Sequence, residues 1–260
     1  MTWALKRQII YIIILLLIVV VFGSLIVLPY FKKEPTCFDL RQNGGEVGVD
    51  CGGSCLKACT FEVKKVSVLW ARAFRVLPGR YNAVAYVENQ NKDNVARKIN
   101  YRFRFADENN VYIGKREGST YIPANQRFAV FEPAVDTGNS TPVYTTLEFT
   151  SEPDWLNVEE NKLDALKISV SEISLLNEKT SPVLSAKLQN KSLFDIPDIS
   201  VVAILYDKSG NAVNASRSVV DVLPAGGSTD VVFTWREPFS EEIVAKEIIS
   251  AFDIFSVKLK

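Results

Sequence analysis

The stretch ISVVAILYDKSGNAV, residues 199–213, sets how the rest of the chain reads. From Ile199 to Leu205 only Ser200 is polar, so this run reads as a central strand buried more completely than its neighbours. Tyr206 and Asp207 lead into a turn containing Gly210, and a second strand follows. The stretch INYRFRFADENNVYI, residues 99–113, repeats that order with a cleaner alternation. Tyr101, Phe103 and Phe105 occupy one face, which reads as core, while Arg102 and Arg104 occupy the other.

The two stretches belong to an internal repeat with an offset of about 101 residues, closed by a single-residue gap. YNAVAYVEN (81–89) matches PVLSAKLQN (182–190), each alternating before an asparagine, Asn89 or Asn190. IPANQ (122–126) matches LPAGG (223–227), each a Pro-Ala turn before a strand carrying Phe128, Val130 and Phe131 or Val231, Val232 and Phe233. Period-2 patterns recur at Val66, Val68 and Trp70 and at Leu166, Ile168 and Val170. Helix signal is confined to the acidic run 159–166. Strands that bury one face against a second sheet give a two-layer sandwich of roughly 90 residues. The expected organisation places one sandwich at 61–152, a linker at 153–162 and a second sandwich at 163–260. Trp155 in the linker is expected to pack against one of them, with ligand stacking as its alternative role.

Each repeat resembles the FxLYD and LEA-type β-sandwich domains. The residues that carry the resemblance are Asn89 and Asn190, Phe103 to Asp107, Ala203 to Asp207 followed by Gly210, and the Pro-Ala-Gly-Gly turn at 224–227. The first copy departs from the pattern: Phe105-Ala106 replaces the Leu-Tyr pair and Asn125-Gln126 replaces the glycines. The resemblance implies a mainly β protein with two tandem immunoglobulin- or fibronectin-like sandwiches. Such domains serve as extracellular spacers, binding modules or assembly parts, so it implies fold more than activity.

Ahead of the repeat, residues 9–28 form an uncharged apolar run. At 1.5 Å per helical residue it spans roughly 30 Å, the hydrocarbon thickness of a bilayer. It is longer than a signal-peptide core, and residues 28–31 (Leu-Pro-Tyr-Phe) offer no small-x-small cleavage site. The run therefore reads as a retained transmembrane helix behind a short cytoplasmic tail, residues 1–8. Lys6 and Arg7 before it balance Lys32 and Lys33 after it, so flanking charge does not orient it. Orientation is instead argued from the short tail, the folded C-terminal body and the cysteines.

All four cysteines, Cys37, Cys51, Cys55 and Cys59, lie in a juxtamembrane strap, residues 29–60. Two disulfides in an oxidising compartment are the expected state, with the pairing open among three arrangements. The spacing C-x13-C-x3-C-x3-C lacks the C-x2-C knuckles usual for structural zinc and the C-x-x-C of redox sites, the two alternatives. Five glycines at 44, 45, 48, 52 and 53 allow sharp reversals between bridges. The segment also resembles a short extracellular motif, C-x-D-G-x-x-N-G-x-E-x-x-x-D-C-G-G-x-C. Ten positions match in order: Cys37, Asp39, Asn43, Gly44, Glu46, Asp50, Cys51, Gly52, Gly53 and Cys55. Leu40 stands where that motif has glycine. Asp39, Asn43, Glu46 and Asp50 are candidate calcium ligands; the alternative is that they hold turns by bonding nearby amides.

Of 30 basic residues 28 follow the apolar run, against 30 acidic ones, which argues against nucleic acid as a dedicated partner. The absence of histidine excludes imidazole-ligated metals and the usual histidine base. The leading expectation is a single-pass, extracytoplasmic structural or protein-binding protein of the cell membrane without catalysis. Its expected partners are other membrane or cell-envelope proteins, in a homo- or hetero-oligomeric complex, met through loops at Glu88 to Val95 and Asp136 to Thr141. A cell-wall or carbohydrate-binding module would use Tyr112, Tyr121 and Trp235 as a platform. A glycan hydrolase would need paired carboxylates such as Asp107, Glu108 and Asp207, which sit in apparent hairpin turns. Three sequons begin at Asn139, Asn190 and Asn214.

Overall fold

A strand that is apolar at nearly every position needs cover on both sides, and the computed structural model shows what supplies it. The structure describes residues 3–31 and 34–258. The chain divides into two compact units, Met1–Cys55 and Leu56–Lys260.

In the first unit, helix α1 runs from Trp3–Phe31, beginning earlier and ending later than the expected span at 9–28. Its apolar part Leu5–Val27 is long and apolar enough to cross a membrane, about 35 Å at helical rise. None of that part is buried by the rest of the protein. The Ser24 hydroxyl donates to the Val21 carbonyl at 2.8 Å, so the one hydroxyl in this stretch beyond Tyr11 is satisfied inside the helix. Arg7 stacks over Trp3 at 4.4 Å near the helix start. Lys32 and Lys33 lie outside the described residues.

In the second unit, seven strands come first: β1 (Ser67–Leu77), β2 (Arg80–Asn89), β3 (Asn94–Ala106), β4 (Tyr112–Ile122), β5 (Gln126–Asp136), β6 (Tyr144–Phe149) and β7 (Trp155–Asn157). A one-and-a-half-turn helix, α2 (Glu160–Ala165), leads into β8 (Ile168–Leu176), β9 (Val183–Asn190), β10 (Ile196–Tyr206), β11 (Ala212–Leu223), β12 (Ser228–Thr234) and β13 (Ala245–Ala251). Sheets β1-β2-β5 and β4-β3-β6, the latter extended by β7, form the first sandwich. Sheets β12-β9-β8 and β11-β10-β13 form the second, and all pairings are antiparallel.

Inside the first sandwich Tyr101, Phe103 and Phe105 of β3 are buried with Ala83, Ala85, Val87, Phe128 and Val130. The Tyr101 hydroxyl crosses this core to donate to Glu132 Oε1 at 2.7 Å, and Arg116 donates to the other carboxylate oxygen at 3.0 Å. A Cβ at Gly118 would stand 2.5 Å from both the Tyr101 hydroxyl and Glu132, so the pair needs a glycine there. The second core is built from Ile199, Val201, Ala203 and Leu205 of β10 with Leu184, Leu188, Val231 and Phe233.

The remaining face of β10 explains its unbroken apolar run. Val202 and Ile204 join Ala212 and Ala215 of β11 against Phe74, Val84, Tyr86 and Phe131 of sheet β1-β2-β5. Two inner sheets therefore press together back to back, and β2 and β10 are each buried on both faces. At the rim of this contact, Glu247 accepts hydrogen bonds from both Tyr86 (2.6 Å) and Tyr206 (2.7 Å). Arg72 donates to the Ala212 carbonyl at 2.8 Å, and Arg217 lies over the Phe131 ring at 5.4 Å. The outer faces are polar. Arg102 and Arg104 stand where β10 has Val202 and Ile204, and they pair with Glu117 and Glu148. Ser185 and Lys187 stand on β9 where β2 has Val84 and Tyr86, with Lys187 paired to Glu172.

Transferring the outer-face residues onto the inner face should open the stack. Val202→Arg with Ile204→Arg would bury unpaired charge and cost about 4 kcal/mol or more. The radius of gyration should rise by X-ray scattering while far-ultraviolet dichroism keeps its β signature; an unchanged radius would refute this account of β10. Alkaline pH tests the rim. Burial, then the Glu247 carboxylate, push the Tyr86 phenol up to about 12, and Tyr206 is raised by the same causes. An unfolded tyrosine ionises near pH 10, so this contribution is complete below about pH 10 and is lost as pH rises through about 12. Thermal unfolding across that window should fall less steeply in Tyr86→Phe than in the unaltered chain.

Candidate functional site: the cysteine strap and the paired turns

The strap is a covalently closed loop with its polar groups turned inward. Cys37 is bonded to Cys55 across a sequence separation of 18, with Cα atoms 5.7 Å apart. Cys51 and Cys59 are also disulfide-bonded, and no cysteine is free among the described residues. Closing a loop of this length contributes about 3 kcal/mol in the chain-entropy estimate. With every sulfur oxidised, no thiolate remains to ligate zinc, so the zinc reading falls. Cys37, Glu46 and Cys55 do cluster, but two of those three are the disulfide itself.

The four expected calcium ligands do come together; the carboxylates of Asp39, Glu46 and Asp50 accept hydrogen bonds from the loop, while Asn43 donates its side-chain amide and its buried Oδ1 has no hydrogen-bond partner. Asp50 receives the Asp39 amide at 2.9 Å and the Leu40 amide at 3.0 Å. Asp39 receives the Arg41 amide at 3.0 Å and the Asn43 side-chain amide at 2.9 Å. The Asn43 side chain, then desolvation in the opposite sense, set the Asp39 carboxyl, whose pKa lies below its ordinary value. Glu46 Oε2 receives the amides of Asn43 and Asp50, each at 3.3 Å. This is the turn-holding geometry that competes with calcium ligation.

Leu40, the departure from the motif, occupies φ 59°, the left-handed region that glycine enters freely. The backbone has kept the turn while the residue has changed. Asp50 shares that region at φ 54°. Gly53 cannot be replaced without disturbance, since a Cβ there would collide with the Gly45 carbonyl. The strap is also shorter than expected. Leu56, Lys57 and Ala58 extend the sheet at β7: Lys57 bridges to Leu156, and the Ala58 amide donates to the Trp155 carbonyl at 2.9 Å.

The other candidates are mostly occupied by the fold. Asp107 Oδ1 accepts the amides of Asn109 (2.9 Å) and Val111 (2.8 Å), and Asp207 Oδ1 accepts those of Ser209 and Asn211, both at 2.8 Å. Each aspartate thus closes its own hairpin turn, with Asn110 or Gly210 at positive φ in the equivalent place. Asn89 and Asn190 are buried pins. Asn89 Nδ2 donates to the carbonyls of Asn94 and Pro123, and Asn190 Nδ2 donates to those of Phe194, Leu223 and Pro224. Their Oδ1 atoms hold Asn91 and Ser192, so each tethers two loops at the end of a sandwich. Asn190 is therefore enclosed as a sequon, and Asn214 accepts the Trp235 indole N–H at 2.8 Å. Asn139 is exposed.

Trp155 is buried in the first core, as the packing reading expects. Tyr121 packs against the second core, and burial raises its phenol pKa. Trp235 packs there too, edge-on to Phe239. Of the three residues expected to form a glycan platform, only Tyr112 is exposed. In the loop from Glu88 to Val95, Asn91 exchanges bonds with both backbone groups of Lys64 and Val95 is buried with the second core, while Gln90, Lys92 and Asp93 are exposed. Sequence reasoning could have found the Asn89 and Asn190 pins from their matched place before the Pro-Ala turns. It gave no sign of the Glu247 clasp.

Two substitutions separate the roles within the strap. Leu40→Gly removes a left-handed leucine and should stabilise the loop by about 1 kcal/mol. Asp50→Ala strips the acceptor from two amides and should cost about 1–2 kcal/mol. Hydrogen exchange at the Asp39 and Leu40 amides reads both: slower in Leu40→Gly and faster in Asp50→Ala. Equal exchange in all three proteins would show that the carboxylate does not hold this turn.

No family model matches the chain, and no curated protein matches it. Solved structures give partial similarities. A red sea bream transglutaminase is 9% identical over 73% of this chain and 30% of its own, with a TM-score of 0.25. A β-glucuronidase from glycoside hydrolase family 2 is 10% identical over 84% of this chain and 29% of its own, with a TM-score of 0.23. The chain thus spans under a third of either protein's length, and at these scores neither activity carries over.

Proposed function

We propose that this is a single-pass membrane protein whose C-terminal body lies outside the cytoplasm and serves as a structural or protein-binding part of an envelope complex, without catalysis. The observation that carries the reading is the sequence of an exposed apolar helix followed at once by fully oxidised cysteines. Disulfides persist where the compartment oxidises, which supports an orientation with the N-terminus in the cytoplasm. Asp107 and Asp207, two of the carboxylates that a hydrolase would use, each hold the amides of their own hairpin turn, and the back-to-back sheets form a body suited to presenting surfaces. Partner contacts then fall to exposed loops, above all Asp136 to Thr141, and to the charged outer sheets.

Purification of the tagged full chain from membranes in mild detergent tests the reading. The expected result is retention in the membrane fraction after carbonate washing, thiol labelling only after reduction, and a defined envelope protein in the eluate. Thiols that react without reductant would place the body in a reducing compartment and overturn the orientation. Retention on cell-wall glycan in place of a protein partner would overturn the assembly role.

A further inference from the structure

We infer that the strap makes a second, interfacial contact with the bilayer, through Phe38 and Leu40. The inference rests on the anchored reading above. Phe38 is 91% exposed and Leu40 is 82% exposed, among the most exposed large apolar residues described. Asp39 between them does the reverse, turning its carboxylate back into the loop. Apolar side chains more exposed than the carboxylates beside them invert the order of an ordinary soluble loop, and exposed apolar surface of this kind marks a contact.

The presentation is rigid. The Cys37–Cys55 bond fixes the residue before Phe38, and Asp50 holds the amides of Asp39 and Leu40. Little conformational freedom is therefore lost when these side chains enter another phase. Leu40 strengthens the point, because a leucine at φ 59° is disfavoured by its own backbone and gains no burial within the protein. A costly backbone state at an exposed position is an observation that calls for a role.

Chain continuity identifies the occupant. Only six residues lie between Phe31, the end of α1, and Phe38. That tether is at most about 24 Å when fully extended. The nearest apolar phase within reach is the acyl–headgroup boundary of the membrane that α1 spans. Lys32 and Lys33 lie in the tether, where basic residues favour anionic lipid.

Site-specific photocrosslinking of the full chain tests this. p-Benzoylphenylalanine is placed in turn at Phe38, Leu40, Leu15 within α1, and Leu193, an 88% exposed residue of the second sandwich. Each protein is reconstituted into vesicles of phosphatidylcholine with one-quarter phosphatidylglycerol, irradiated, and weighed intact and unreduced, so that disulfide formation is checked in the same spectrum. The expected result is lipid adducts at positions 15, 38 and 40, with 38 and 40 at least about fivefold above 193. Adducts at 15 but only background at 38 and 40, or adducts to protein there, would overturn the interfacial contact while leaving the anchor intact. Absence of adducts at 15 would overturn the anchored reading, and this inference with it. Leu40→Gly in the Phe38-labelled protein keeps the turn and should lower the adduct yield about twofold; an unchanged yield would remove Leu40 from the contact.

Discussion

The body depends on one contact, the packing of Val202 and Ile204 of β10 against Val84, Tyr86 and Phe131 across the two inner sheets. Each sandwich has its own core, but a sheet as apolar as β11-β10-β13 on both faces could not stay in water. Its second face is stable only because a partner face, equally apolar, is supplied by the same chain. The exposed ion pairs around the body, such as Arg75–Glu237 and Arg97–Asp253, add little beside this. Glu247 contributes differently: a single carboxylate receiving two phenols fixes the lateral position of one sheet on the other. Apolar contact drives the packing, and the half-buried polar clasp at its rim chooses its register.

The two copies are alike where each sandwich must close on itself and unlike where they meet. Asn89 and Asn190, Asp107 and Asp207, and the Pro123 and Pro224 turns are matched because every such sandwich must tether its loops. Arg102 and Arg104 against Val202 and Ile204, or Ser185 and Lys187 against Val84 and Tyr86, are mismatched because one copy uses that face for contact and the other leaves it wet. Alternation made the sheets and the core of β3 legible, along with the fuller burial of β10. It could not name what covers β10, because periodicity reports that a face is buried and not against which surface. Comparing the outward positions of the two copies would have located both contacting sheets.

The strap shows where residue chemistry alone is ambiguous. Four oxygen-bearing side chains in twelve residues suit a cation and suit a set of unsatisfied amides equally well, since both need convergent oxygens. The backbone decides how the oxygens are used: reversals at Leu40 and Asp50 leave amides pointing into the loop, and the carboxylates meet them. A segment this short has almost no apolar interior, so disulfides and carboxylate–amide bonds replace a core. Its apolar side chains are then left outside.

The charged outer sheets bear on how such a body associates. The inner contact joins two different faces, sheet β1-β2-β5 to sheet β11-β10-β13, and a contact between unlike faces can in principle repeat from one molecule to the next. The faces that would continue it are those of β4-β3-β6 and β12-β9-β8. On the first, Arg102 and Arg104 with Glu117 and Glu148 replace the apolar pair, and on the second Lys187 with Glu172 does so. Burying these groups in a further sheet contact would strip their hydration for weak pairing, so the stack ends at two sandwiches. Any surface docked on these outer faces would have to keep these charges near water or match them with an opposite pattern.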